Sequence, residues 1–142
     1  MLLILNTGSC FLPAQRLELK KIGDCPATRE GQRIFAEGYF SIDPEKGVAT
    51  EGGYESMYPF SRFNFSVESN SKSKFEAAVV RANAGNNGPS RANRTEPTKN
   101  GDQVVWNIYD NWERQISFND KVRVTGVMIS DCVVKVDKIE KL

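Results

Sequence analysis

The chain has 142 residues and a formal net charge of +1, with 39% hydrophobic and 26% charged residues. These figures fit one ordinary globular domain and exclude wholesale disorder or a polybasic protein that coats duplex DNA by charge alone. Histidine is absent, which removes Ser-His-Asp and Cys-His catalysis, histidine-ligated metal sites and a histidine pH switch.

Residues 1–14 carry no charge. The stretch Thr7-Gly8-Ser9-Cys10 resembles the end of a bacterial lipoprotein signal, where the cysteine receives the lipid. A charged n-region is missing and the apolar run over 2–5 is short. Two readings stand: a short first strand or packed arm, and an envelope lipoprotein whose start is truncated. No apolar run reaches the roughly 20 residues that span a bilayer. The three cysteines, Cys10, Cys25 and Cys132, form no C-x-x-C, so they read as reduced, partly buried thiols rather than a zinc or thioredoxin-type site.

Residues 15–21 alternate leucine with charge, and a short strand or one helical turn both fit. Gly23 to Pro26 reads as a turn, and 26–31 as a single helical turn. The first strong strand is 32–42. Ile34, Ala36, Gly38, Phe40 and Ile42 share one face, and Arg33, Phe35, Glu37, Tyr39 and Ser41 the other. Gly38 suggests a bend or bulge. Residues 43–57 carry turn chemistry. Strands over 60–68 and 74–81 form a hairpin through the Ser-rich turn 69–73. Residues 83–102 form a long polar loop with no apolar side chain larger than alanine, apart from proline, and the composition predicts mobility. Strand 103–109 follows, then a helical turn over 112–116. Strands over 121–129 and 132–139 close the chain. Phe40, Phe63, Phe65 and Trp106 read as core.

Three stretches resemble an OB (oligonucleotide/oligosaccharide-binding) domain. Residues 31–39, GQRIFAEGY, look like the G-x-x-V-x-V-x-G-x that opens many such domains. Residues 118–127, FNDKVRVTGV, look like their fourth strand, with Asn119-Asp120 in place of Gly-Asp. Residues 132–142 look like the closing strand, ending in V-x-x-I-x-x-L. The resemblance implies an all-β, five- to six-stranded OB-like Greek-key barrel over 31–142 with a long polar loop, behind an arm or short strand over 1–30. A β-sandwich is the alternative.

OB domains often bind on the face of their second and third strands, and single-strand sites need cations and stacking rings. Alternation sends Arg33, Phe35 and Tyr39 outward from the first long strand, Arg62 and Asn64 from the second, and Lys121 and Arg123 from the fourth. Tyr54 and Tyr58 end the first loop. Arg91, Arg94 and Lys99 lie on the polar loop, within a segment 61–101 that holds seven basic and three acidic residues. The plainer alternative is that the N-terminal arm or the polar loop covers Phe35 and Tyr39, and that Arg33 pairs with Glu37.

The sequence lacks a P-loop, GxSxG, HExxH or EF-hand loop, so it points to no enzyme, metal or cofactor. One expectation is a non-enzymatic module for single-stranded nucleic acid, alone or as a subunit of a larger complex. The alternative is an exported or lipid-anchored bacterial envelope protein acting by protein or small-ligand contact. The compartment stays open between cytoplasm and envelope.

Overall fold

Five strands close on themselves in a computed structural model that describes residues 13–19, 25–42, 49–51 (backbone only), 60–82 and 90–142. The expectations on 1–12, on Tyr54 and Tyr58 and on 83–89 lie outside these residues. In chain order the strands are β1 (Gln15–Arg16), β2 (Arg33–Ser41), β3 (Ala49–Glu51), β4 (Phe60–Ser66) and β5 (Glu76–Val80). There follow β6 (Thr95–Asn100), β7 (Gln103–Tyr109), β8 (Gln115–Ile116), β9 (Val122–Ser130) and β10 (Val133–Lys141). The described residues contain no helix.

The barrel runs β2-β4-β5-β10-β9 and back to β2. All its pairings are antiparallel except β5 with β10. Numbering only the barrel strands, the order is 1-2-3-5-4-1, an OB-like Greek key, and closure removes the β-sandwich alternative. The expected alternation holds. Ile34, Ala36 and Phe40 from β2, Phe63 and Phe65 from β4, Ala77 and Val79 from β5, and Val122, Val124 and Met128 from β9 fill the interior. Phe40, Phe63, Phe65 and Phe75 meet edge-on, the arrangement that ring quadrupoles favour. Trp106 is half-buried against the same cluster, 6.2 Å from Phe63 between ring centres.

Gly38 is where β2 changes partner. Residues up to Gly38 pair with β9, and Tyr39 to Ser41 pair with β4. A Cβ at Gly38 would collide with the Ser66 carbonyl oxygen, so only glycine lets the strand bend this tightly. The free edge beside the first half of β2 is taken by β1, which pairs with it in parallel. Leu17 and Leu19 then enter the core.

Three sequence expectations are corrected. Residues 26–31 form no helical turn; the chain is irregular and closes by Gln32 N–H donating to the Arg29 carbonyl. Residues 112–116 hold a turn and the short strand β8. Residues 95–102 are no loop: β6 and β7 form a hairpin through Gly101, whose φ of 66° suits glycine. β6, β7 and β8 form a second sheet that joins the buried core through Ile108 and Ile116.

The thiol reading is also corrected. Cys25 and Cys132 are joined in a disulfide across a sequence separation of 107, with a Cα–Cα distance of 5.4 Å. It ties the arm ahead of β2 to the β9–β10 turn.

Candidate functional site

The outer face of β2 and β9 was expected to offer free cations and rings. Pairing register explains why it does not. Glu37 lies directly across from Arg123, and Phe35 across from Thr125. The Arg123 guanidinium donates to Glu37 Oε2 from Nη2 at 2.7 Å and from Nε at 3.1 Å. Arg16 of the arm donates to Glu37 Oε1 at 3.2 Å and to Glu18 at 2.6 Å. Both guanidiniums also lie against the Phe35 ring, at 5.6 Å for Arg16 and 5.4 Å for Arg123 from its centre. Phe35 is thus held between two cations that share one carboxylate. Glu37 titrates below its ordinary value, chiefly because Arg123 hydrogen-bonds it. Partial burial opposes this, and Arg16 adds to it.

Arg33 does not pair with Glu37. It forks onto Asp137 of β10, at 2.7 Å to Oδ2 and 3.4 Å to Oδ1. A phosphate approaching this face would have to displace a carboxylate from Arg33 or Arg123. Tyr39 lies beyond the cluster, paired with Ser66 of β4 and half-buried.

The β4 residues fare differently. Arg62 pairs with Glu76 at 3.5 Å. Asn64, expected on the surface, is only 9% exposed, and Ala78 on the same outward register is fully buried. The Ser-rich turn folds back here: Ser41, the register partner of Asn64, donates its hydroxyl to the Ser71 carbonyl at 2.7 Å. Short side chains at Ser41, Ser66 and Ala78 let the surface close over Asn64. Its Nδ2 has no partner among the described residues.

Lys99 belongs to the β6-β7-β8 meander, and Arg91 and Arg94 lie just ahead of its first strand. Arg91 pairs with Glu96 at 3.3 Å and lies 5.6 Å from the Tyr109 ring centre. The Arg94 carbonyl accepts Tyr109 N–H at 2.9 Å. Lys99 on β6 and Lys121 ahead of β9 are exposed. The structure therefore gathers Arg33, Phe35 and Arg123 on one face and scatters the others.

Sequence reasoning passed over one residue here. Trp112 is 73% exposed, the most open large apolar side chain among those described. Its turn is rigid because Asp110, fully buried, accepts from Trp112 N–H at 2.8 Å, Arg114 N–H at 2.9 Å and Arg114 Nε at 3.0 Å. The backbone is fastened to β10 by Asn111 N–H to the Ile139 carbonyl and by Ile139 N–H to Asn93 Oδ1, each at 2.8 Å. An aspartate two residues before an aromatic in a turn was the available signal.

Among the described residues, no group of three or more Cys, Asp or Glu is placed to hold a metal ion. Nor do the described residues contain a helix long and apolar enough to cross a membrane. No protein-family model matches the chain, and no curated protein or solved structure is significantly similar to it.

Proposed function

We propose that the chain is a non-enzymatic OB-like binding module of an oxidising compartment, the cell envelope, acting by protein contact. The observation that carries this reading is the bond between Cys25 and Cys132. Disulfides persist in oxidising surroundings and are rare where glutathione and thioredoxin keep thiols reduced. Two further features support it. The cations of the β2–β9 face are matched by the chain's own carboxylates. The open apolar side chains Val104, Val105 and Trp112 lie on the meander, where a protein partner can reach them.

The test is thiol trapping in intact cells that express the chain, by acid quench followed by a heavy maleimide under denaturing conditions. A Cys10→Ser variant keeps the gel shift unambiguous. Cys25 and Cys132 should resist the label until a reductant is added. Ready labelling of both without reductant overturns the reading.

A second reading is single-stranded nucleic-acid binding, favoured by one observation. Trp112 presents an open indole on a rigid turn with Arg114 on the same loop, and Arg91 is bound to that loop through Glu113 at 3.0 Å. Base stacking on such a ring is worth about 1–3 kcal/mol. Labelled single strands should then bind at low salt, and Trp112→Ala should weaken them. Absence of binding at low salt removes this reading.

A further inference from the structure

The two edges of the β6–β7 hairpin are unequal. Tyr109 N–H donates to the Arg94 carbonyl, and Asp110 N–H donates to the Arg114 carbonyl. Bonding direction alternates along an antiparallel strand. The backbone groups of Gln103, Val105, Asn107 and Tyr109 therefore face β6, while those of Val104, Trp106 and Ile108 face the other way. β8 meets that second edge only at Ile108 and Tyr109. The amides and carbonyls of Val104 and Trp106 have no strand against them among the described residues.

The opposite edge, that of β6, is guarded. Thr95 carbonyl accepts Ala82 N–H at 2.8 Å. Pro97 pairs with Trp106 in a position that turns its missing N–H outward, and Lys99 stands next to it, exposed. Proline and lysine are the usual means of blocking an edge. The β7 edge carries neither. It reads Gln-Val-Val-Trp-Asn, uncharged and rich in strand formers, with Val104 49% and Val105 45% exposed.

We infer that this edge is taken by the same edge of a second copy of the chain, antiparallel, with the two-fold axis at Val105. Three features select a second copy. In this register Val104 faces Trp106 of the other copy, and each pair exchanges both backbone bonds, so all four open groups on each copy are satisfied. Val105 meets its own counterpart at the close, non-hydrogen-bonded position, apolar against apolar. No charged residue meets another within the window, so self-pairing carries no like-charge penalty. The length also fits. One step beyond Asn107 the edge is occupied by β8, and one step before Gln103 the chain turns at Gly101-Asp102. The window ends at the same step on both sides. The product is a continuous sheet β6-β7-β7-β6 across the two-fold. The inference does not depend on the compartment proposed above. The contact is small by the standard of stable interfaces, so it dissociates on dilution.

Sedimentation velocity over a wide concentration range reads it directly. The wild-type chain should pass from monomer to dimer as concentration rises. Val105→Lys sets two ammonium groups face to face, and Val104→Pro deletes an outward N–H while leaving every bond to β6 in place. Each should weaken dimerisation on the order of tenfold or more, with the thermal melt of the monomer near wild type. Should either variant fold poorly, Val105→Cys in a Cys10→Ser background reads the same contact in the native backbone. Facing Cα atoms about 4.5 Å apart at this position suit a disulfide. An added oxidant should then give a reducible dimer far faster than it does for the exposed Lys138→Cys. A wild-type chain that stays monomeric throughout overturns the inference. So does a dimer that both variants leave unchanged, or a Val105→Cys chain that cross-links no faster than the Lys138→Cys control.

Discussion

Glu37 is the residue on which the β2–β9 face depends. Two guanidiniums from different strands converge on its carboxylate, and the Phe35 ring lies between them. Its charge has a pH signature. The folded-state value is lowered below that of an ordinary glutamate, first by the Arg123 hydrogen bonds. A lowered carboxylate contributes stability that is complete above the unfolded value, about 4.3, and is lost as pH falls through the folded one. Glu37→Gln should therefore lower the melting temperature at neutral pH by the equivalent of about 1 kcal/mol or less, the scale of a partly exposed pair. The gap to wild type should shrink below about pH 4 and close when both carboxyl states are neutral. Melting curves from pH 3 to 8 measure this; a gap independent of pH would show that packing on Phe35, and not charge, sets the effect. Arg33 belongs to a separate pair with Asp137, so Glu37→Gln should leave it intact.

At the scale of elements, β2 and β9 were legible because each buries one face and alternates accordingly, and β4 because Phe63 and Phe65 alternate with polar residues even though Asn64 and Ser66 are also buried. Period-2 patterning, together with the mid-strand Gly38, was enough to place the barrel. β6 was illegible for the converse reason. Its sequence, TEPTKN, buries only Thr95, and the strand exists because β7 supplies backbone partners along its length. Polar composition with proline reads as loop when no tertiary partner is considered. The ion pairs of the expected face were hidden for a related reason: Arg33 meets a carboxylate 104 residues away and Arg123 one 86 residues away, and alternation says which side a residue faces but not who stands across from it. The hairpin replaces an expectation of mobility with one of protection. Trypsin should cut slowly after Arg94 and Lys99 in the folded chain, at a rate that tracks global unfolding, because both peptide bonds lie in or next to paired strand. Time-resolved mass spectrometry of the digest decides it, and rapid cleavage after Arg94 with the barrel still intact would return this segment to a loose loop.

At the scale of the whole molecule, one covalent bond joins the arm ahead of β2 to the β9–β10 turn. The arm touches the barrel through a two-residue strand and through Leu17 and Leu19. The disulfide fixes the segment between β1 and β2 to the β9–β10 turn, closing a loop across a separation of 107 in a chain of 142 residues. In the chain-entropy account, a closed loop of about 100 residues restricts the unfolded state by about 4.7 kcal/mol, and removing a native disulfide commonly costs about 2–5 kcal/mol. The turn itself opposes the bond. Cys132 has φ 65°, a left-handed conformation that glycine or asparagine adopts more readily. Two double variants separate these contributions. Cys25→Ser with Cys132→Ser should lose the cross-link and keep the strained turn. Cys25→Ser with Cys132→Gly should lose the cross-link and relax the turn, recovering about 1 kcal/mol. The order of thermal stability expected is wild type, then the glycine variant, then the serine variant, and adding reductant should lower wild type alone. If reductant leaves the wild-type melt unchanged, the arm is held by Leu17 and Leu19 without covalent help. A serine variant as stable as the glycine variant would mean instead that the turn stores no strain.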